Sequence, residues 1–68
     1  MADKVYKKIR LTGCSDESFK KAVEFAVAKS DESVRGASWF ELVELRGAVS
    51  DGKVAEWQAT VDVGLKIE

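Results

Sequence analysis

Apolar and polar residues alternate at the start of the chain, and this alternation predicts a first β-strand over 4–12. Ile9 and Leu11 fall on one side of an extended chain, whereas Arg10 falls on the other. A period of two residues is typical of a strand with one buried face. Gly13 is predicted to end this strand.

The following segment changes to the period of a helix. Small or apolar residues recur at spacings of three and four, as on the buried face of an amphipathic helix: Phe19, Ala22, Val23, Ala26, Val27 and Ser30. Ser15 precedes two acidic residues and is therefore the predicted N-cap. The helix is predicted to run from Asp16 to Val34. Gly36 is expected to stop it, because glycine adopts the positive φ of a C-terminal cap.

Two long alternating segments predict strands over 38–49 and 53–67. Asp51-Gly52 lies between them and is typical of a two-residue hairpin turn, in which Ser50 pairs with Lys53. The predicted fold is therefore a single β-α-β-β domain of the α+β class over residues 1–68. Both long strands exceed the helix in length, so the apolar strand end around 61–67 is expected to need cover from another chain.

The hairpin register places Trp39 and Gln58 on the face turned away from the helix, because paired residues share a face. Trp39 pairs with Gly64, which has no side chain to obstruct a flat ligand. Gln58 lies six residues from Gly64, about 20 Å along a strand. If Trp39 and Gln58 contact one ligand, they are expected to come from different subunits.

The same register predicts Arg46 and Trp57 as partners on the helix-facing side. A bulge at Gly47 would reverse the alternation on one side of it, so this assignment depends on an unbroken register. Arg46 could bind phosphate or carboxylate, or it could pair with Glu44 or Glu56. Trp57 is expected to pack in the core or in an interface.

Two interpretations are open for Trp39 and for Gln58. The indole of Trp39 could stack on a planar ligand, or it could be buried between subunits. The amide of Gln58 offers a neighbouring donor and acceptor that match the edge of a pyrimidine-like ring. It could equally be a polar residue on a solvated sheet face.

Composition narrows the classes of function. The 68-residue chain has a single cysteine, Cys14, and no histidine, which excludes an intrachain disulfide and argues against a zinc site. Self-association is therefore the expected source of extra stability. The net charge of −1 argues against a nucleic-acid partner. No segment resembles a secretory signal or a membrane helix, so a cytoplasmic location without membrane association is expected.

Seven short segments together resemble the dodecin family over essentially the whole chain: Val5-Tyr6-Lys7, Leu11-Thr12-Gly13-Cys14-Ser15, Ser38-Trp39-Phe40-Glu41, Arg46-Gly47, Asp51-Gly52-Lys53-Val54, Gln58-Ala59-Thr60 and Val63-Gly64. The resemblance implies an antiparallel sheet of order 1-3-2 that partly wraps the helix. It also implies a homododecamer that stores and protects flavins without catalysing a reaction. Ala48 and Cys14 depart from residues that are common in the family.

The resemblance also implies roles for individual residues. Trp39 would stack on the flavin and quench it, Gln58 would contact its pyrimidine edge, and Arg46 would lie near it. Riboflavin, FMN and FAD are all compatible with these residues, and coenzyme A is a further ligand of some relatives. The alternatives are a protein-interaction module anchored by Trp39 and a flavin-dependent enzyme, which the lack of histidine as a general base disfavours.

Overall fold

The computed structural model describes residues 3–67, which form one helix and one three-stranded sheet. The elements are β1 (Val5–Ser15), α1 (Phe19–Ser33), β2 (Ala37–Ser50) and β3 (Lys53–Ile67). Strand β3 lies between β1 and β2 and is antiparallel to both. The predicted β-α-β-β fold with strand order 1-3-2 is therefore confirmed. Within residues 3–67, no helix has the length and hydropathy needed to cross a bilayer.

The core lies between α1 and the odd-numbered residues of β3. Six apolar side chains are buried there: Ala22, Ala26, Ala59, Val61, Val63 and Leu65. The two alanines of α1 let the helix approach β3 closely. The expectation that 61–67 lacks cover within one chain is wrong for 61–65, because α1 packs directly over this segment. Among the apolar residues of this segment, only Ile67 at the end of β3 is exposed.

The uncovered apolar surface instead lies on β2. Helix α1 packs mainly on β1 and β3 and barely reaches β2. Phe40, Leu42 and Leu45 pair with buried residues of β3 on the helix-facing side, yet each remains 44–50% exposed. We call these three residues the β2 strip. A 15-residue helix spans about 22 Å and a 15-residue strand about 50 Å, so α1 is too short to shield the whole sheet.

Strand β1 continues through Gly13 to Ser15, so the prediction that Gly13 ends it is wrong. Gly13 pairs with Ala59 in the sheet. A Cβ at this position would overlap the carbonyl oxygen of Ala22 and lie 3.0 Å from the backbone nitrogen of Ala26. Glycine is therefore required here because β1 and α1 approach each other closely, and it does not end the strand.

Helix α1 begins after Ser18, so the prediction of Ser15 as the N-cap is wrong. The hydroxyl of Ser18 accepts a hydrogen bond of 3.1 Å from the backbone N–H of Lys21. The hydroxyl of Ser15 instead accepts a bond of 2.9 Å from the backbone N–H of Glu17. Ser15 therefore stabilises the loop before the helix.

The helix ends at Ser33, close to the predicted end at Val34, but its C-cap is Val34 in an extended conformation. Gly36 has φ of +101° yet lies two residues beyond this cap, so the prediction that Gly36 caps the helix is wrong.

The β2–β3 hairpin has the predicted two-residue turn. Asp51 and Gly52 both have positive φ, 53° and 73°, as a tight turn between twisted strands requires. Ser50 pairs with Lys53 at the turn. At the far end of the hairpin, the predicted pair of Trp39 with Gly64 is also present.

Between these two ends, β-bulges shift the register by one residue. Val43 is the extra residue on β2, and Ala55 is the extra residue on β3. In the shifted segment, Arg46 pairs with Gln58 rather than with Trp57. The predicted pairing of Arg46 with Trp57 is therefore wrong, because a bulge reverses the side to which the following residues point.

Candidate functional site

The sheet face opposite α1 carries all the predicted ligand-contacting residues, and we call it the outer face. Its members follow from the register, because paired residues share a face. They are Tyr6, Lys8, Arg10, Thr12 and Cys14 of β1, Trp39, Glu41, Glu44, Arg46 and Ala48 of β2, and Glu56, Gln58, Thr60, Asp62, Gly64 and Lys66 of β3. The bulge at Val43 moves Arg46 to this face, where it joins Trp39 and Gln58.

Trp39 lies across the backbone of Gly64. A Cβ at Gly64 would overlap the indole ring, so only glycine permits this position. Tyr6 packs beside the indole, with ring centroids 5.5 Å apart and ring planes inclined by 56°. The indole remains 39% exposed, so one of its surfaces is available for contact with a planar group.

Gln58 is held at both ends of its side-chain amide. The Nε of Arg46 donates a hydrogen bond of 2.8 Å to Oε1 of Gln58. The Nε2 of Gln58 donates a bond of 2.8 Å to Oε1 of Glu56. Arg46 therefore bonds Gln58 in this structure, where the sequence left open an ion pair with a neighbouring glutamate.

A charge-balanced network lies in the sheet layers between Trp39 and Gln58. Arg10 donates two hydrogen bonds to the carboxylate of Asp62, of 2.7 and 3.0 Å. Lys8 lies 3.6 Å from the same carboxylate and also forms an ion pair with Glu41. The hydrogen bond from Arg10 lowers the pKa of Asp62, and the bond to Glu41 raises the pKa of Lys8.

The other two candidates from the sequence have different surroundings. Trp57 lies on the helix-facing side and packs against Phe19 of α1 in an edge-to-face pair, with centroids 4.7 Å apart. This agrees with its predicted packing role. Cys14 is exposed on the outer face and pairs with Gln58 across the strands.

Two contributors to this surface, Tyr6 and Glu56, were not identified from the sequence. Tyr6 reaches Trp39 because β1 pairs with β3 and brings its even-numbered residues to the outer face. The alternation and turn residues of the β2–β3 hairpin do not indicate which strand β1 pairs with. From the sequence, Glu56 was considered only as an ion-pair partner for Arg46. Its place beside Gln58 was missed because the predicted register put Arg46 and Gln58 on different faces, whereas in the structure both Arg46 and Glu56 bond Gln58.

The chain is similar to known dodecins in sequence and in structure. The dodecin family model matches residues 5–68. A dodecin from Thermus thermophilus is 38% identical over 65 residues, covering 96% of this chain and 94% of the relative. The solved dodecin structure from Streptomyces davaonensis is 30% identical, with a TM-score of 0.90 and 98% of both chains covered. That from Streptomyces coelicolor is 32% identical, with a TM-score of 0.91, and covers 100% of this chain and 97% of its own. This protein therefore belongs to the dodecin family.

Proposed function

We propose that this chain binds flavins as a homo-oligomer, assembled as a dodecamer, and stores and protects them without turnover. The observation that carries the proposal is the location of Trp39, Gln58 and Arg46 on one exposed sheet face. An aromatic platform and an amide on the same surface offer stacking to a flat ring and hydrogen bonds to its edge.

The side chains fit an isoalloxazine ring at two points. Gly64 lets the indole of Trp39 lie close to the sheet, and Tyr6 limits its movement to one side. The amide of Gln58 retains one N–H and one oxygen lone pair beyond its bonds to Arg46 and Glu56. Both groups match the edge of a cyclic imide, which has an N–H beside a carbonyl.

The separation of these groups supports the proposed self-association. Trp39 pairs with Gly64, and Gln58 lies about 20 Å further along β3, which exceeds the length of one flavin ring. Residues 3–67 enclose no pocket on their own. A complete site on this face therefore needs Trp39 and Gln58 from different copies. The exposed β2 strip supplies apolar surface that packing between copies would bury.

The proposed role of Trp39 is to quench the bound flavin. A photoexcited flavin would accept an electron, the stacked indole would donate it, and return of that electron to the indole would leave both groups chemically unchanged with the excitation lost. Storage rather than turnover is proposed because the chain has no histidine to transfer protons near neutral pH.

Titration with riboflavin, followed by flavin fluorescence, tests this proposal. Trp39→Ala is expected to weaken riboflavin binding about tenfold or more, because losing roughly 1.5 kcal/mol of aromatic stacking energy raises the dissociation constant by that factor. It is also expected to restore emission of the flavin that still binds. Trp57→Phe is the matched control, because it removes the other indole and keeps an aromatic ring against Phe19. Equal affinity and quenching in the Trp39→Ala variant would contradict the proposal.

The same titration ranks the other candidate ligands and distinguishes the proposed function from its alternatives. FMN, FAD and coenzyme A serve as parallel ligands, and their affinities rank the phosphate-bearing forms against riboflavin. The β2 strip also favours a second function, a non-catalytic protein-interaction module. Such a module would bind none of these ligands. A flavin enzyme would turn over with an added reductant, and we expect no turnover.

A further inference from the structure

We propose that Glu56 is a positioning residue, which fixes the orientation of the Gln58 amide and thereby selects a ligand edge of the cyclic imide type. This inference rests on the proposed flavin-binding function and assigns a role to a residue outside the ligand-contacting set. Glu56 precedes Gln58 by two residues on β3, so both side chains point to the outer face.

The two partners of Gln58 distinguish the two ends of its amide. A guanidinium can only donate hydrogen bonds, and a carboxylate can only accept them. Arg46 therefore holds the carbonyl end of Gln58, and Glu56 holds the NH₂ end, each at 2.8 Å. A reversed amide would direct its N–H groups at Arg46 and its carbonyl at Glu56. Charge-assisted bonds of this kind are stronger than neutral ones, so one orientation is strongly preferred.

The orientation determines what Gln58 presents to a ligand. One lone pair remains on Oε1 and one N–H remains on Nε2, in fixed positions. A ring edge with an N–H beside a carbonyl satisfies both. Because the Nε of Arg46 is engaged by Gln58, Arg46 contributes to this edge through Gln58.

Glu56→Gln is the decisive variant, because it removes the anionic acceptor with almost no change in shape. The new amide can donate as well as accept, so it no longer favours one orientation of Gln58. Riboflavin affinity is expected to fall about tenfold, the equivalent of one charge-assisted hydrogen bond. Glu44→Gln is the matched control. It removes the same charge from the same face, at the layer of Thr60.

A second measurement follows the amide itself and needs no ligand. Gln58 is the only glutamine, and the chain has no asparagine, so a ¹H–¹⁵N spectrum of glutamine-labelled protein contains one side-chain NH₂ pair. In the unmodified protein, we expect widely separated proton shifts and slow solvent exchange for the proton bonded to Glu56. Glu56→Gln and Glu44→Gln each add one further NH₂ pair, so the pair of Gln58 is identified as the one that disappears when Gln58→Ala is added to each variant. Glu56→Gln is expected to narrow the separation of the Gln58 protons and speed their exchange, and Glu44→Gln is expected to leave both unchanged.

Binding of riboflavin and of N3-methylriboflavin, which lacks the imide proton, completes the experiment. The unmodified protein should prefer riboflavin, and Glu56→Gln should reduce this preference together with the change in the NH₂ signals. If Glu56→Gln alters neither, while Gln58→Ala weakens riboflavin binding, the role of Glu56 is overturned and the proposed function stands. If the unmodified protein binds no flavin, both proposals are overturned, whatever the NH₂ signals show.

Discussion

The contact between Trp39 and Gly64 provides the sharpest test of how the outer face accommodates the indole. Gly64 has an ordinary strand conformation, since it is not among the positive-φ glycines, so alanine is compatible with its backbone. The obstacle to alanine is the indole, which a Cβ at Gly64 would overlap at three ring carbons. Gly64→Ala should therefore force Trp39 to tilt away from the sheet.

The size of this effect follows from two opposing contributions. Overpacking against a fixed side chain costs about 1–3 kcal/mol. Replacing glycine by alanine in a compatible conformation stabilises a protein by about 0.4–1 kcal/mol. Gly64→Ala alone is thus expected to lower the free energy of unfolding by about 1–2 kcal/mol. In a Trp39→Ala background nothing remains to overlap, so the same change should be stabilising.

A double-mutant cycle measures this reversal of sign. The four proteins are unfolded with urea at one fixed protein concentration, because assembly makes stability concentration-dependent. A coupling energy of about 2 kcal/mol is expected between the two positions. Riboflavin affinity should also fall in the Gly64→Ala protein. An identical change in unfolding free energy in both backgrounds would refute the view that the missing Cβ makes room for the indole.

Three further predictions concern the scaffold. Gly13→Ala should prevent native folding, as measured by circular dichroism and soluble yield, because its Cβ would strike the backbone carbonyl of Ala22, which cannot rotate away. Gly52→Ala should lower the free energy of unfolding in urea by about 1 kcal/mol, because Gly52 has φ of +73°. Asp62 has a folded-state pKa below its ordinary value of 3.8. Its contribution is therefore present above that pH and is lost as the pH falls through the lower folded value. Asp62→Asn should flatten the loss of stability in this acid range, and an unchanged acid transition would contradict the role of its bond to Arg10.

The strand pattern in the sequence was sufficient for the long hairpin and its ends. The bounds of β3 were predicted correctly, because alternation continues from Ala55 to Ile67 and the Asp51-Gly52 turn fixes the start of the strand at Lys53. The pair of Trp39 with Gly64 was also correct. That success depends on two bulges whose shifts cancel between the turn and Trp39.

The bulges themselves were not predicted. Gly47 was the candidate, since glycine tolerates bulge conformations, yet the extra residues are Val43 and Ala55. Each follows another apolar residue, Leu42 or Val54, so the alternation of the sequence changes phase at both bulges. As a result, the side of the sheet occupied by Arg46 was predicted incorrectly, and the Arg46–Gln58 bond was missed.

The start of the helix depended on a choice between two serines. Ser15 and Ser18 both precede helix-forming residues, and the acids after Ser15 favoured the earlier start. The structure instead keeps Ser15 in β1, where it pairs with Trp57. This pairing is a long-range contact, and local capping preferences contain no information about it.

The two bulges have a consequence for how chains of this fold can change in length. Val43 and Ala55 lie on opposite strands, so each restores the alignment that the other displaces. Each is an extra residue opposite a regularly paired strand, so loss of either one alone would leave the other pairs in place and keep Trp39 and Arg46 on the same side of the ribbon. Single deletions should therefore be tolerated at Val43 or at Ala55, whereas loss of a paired residue would turn its neighbours to the other side of the sheet.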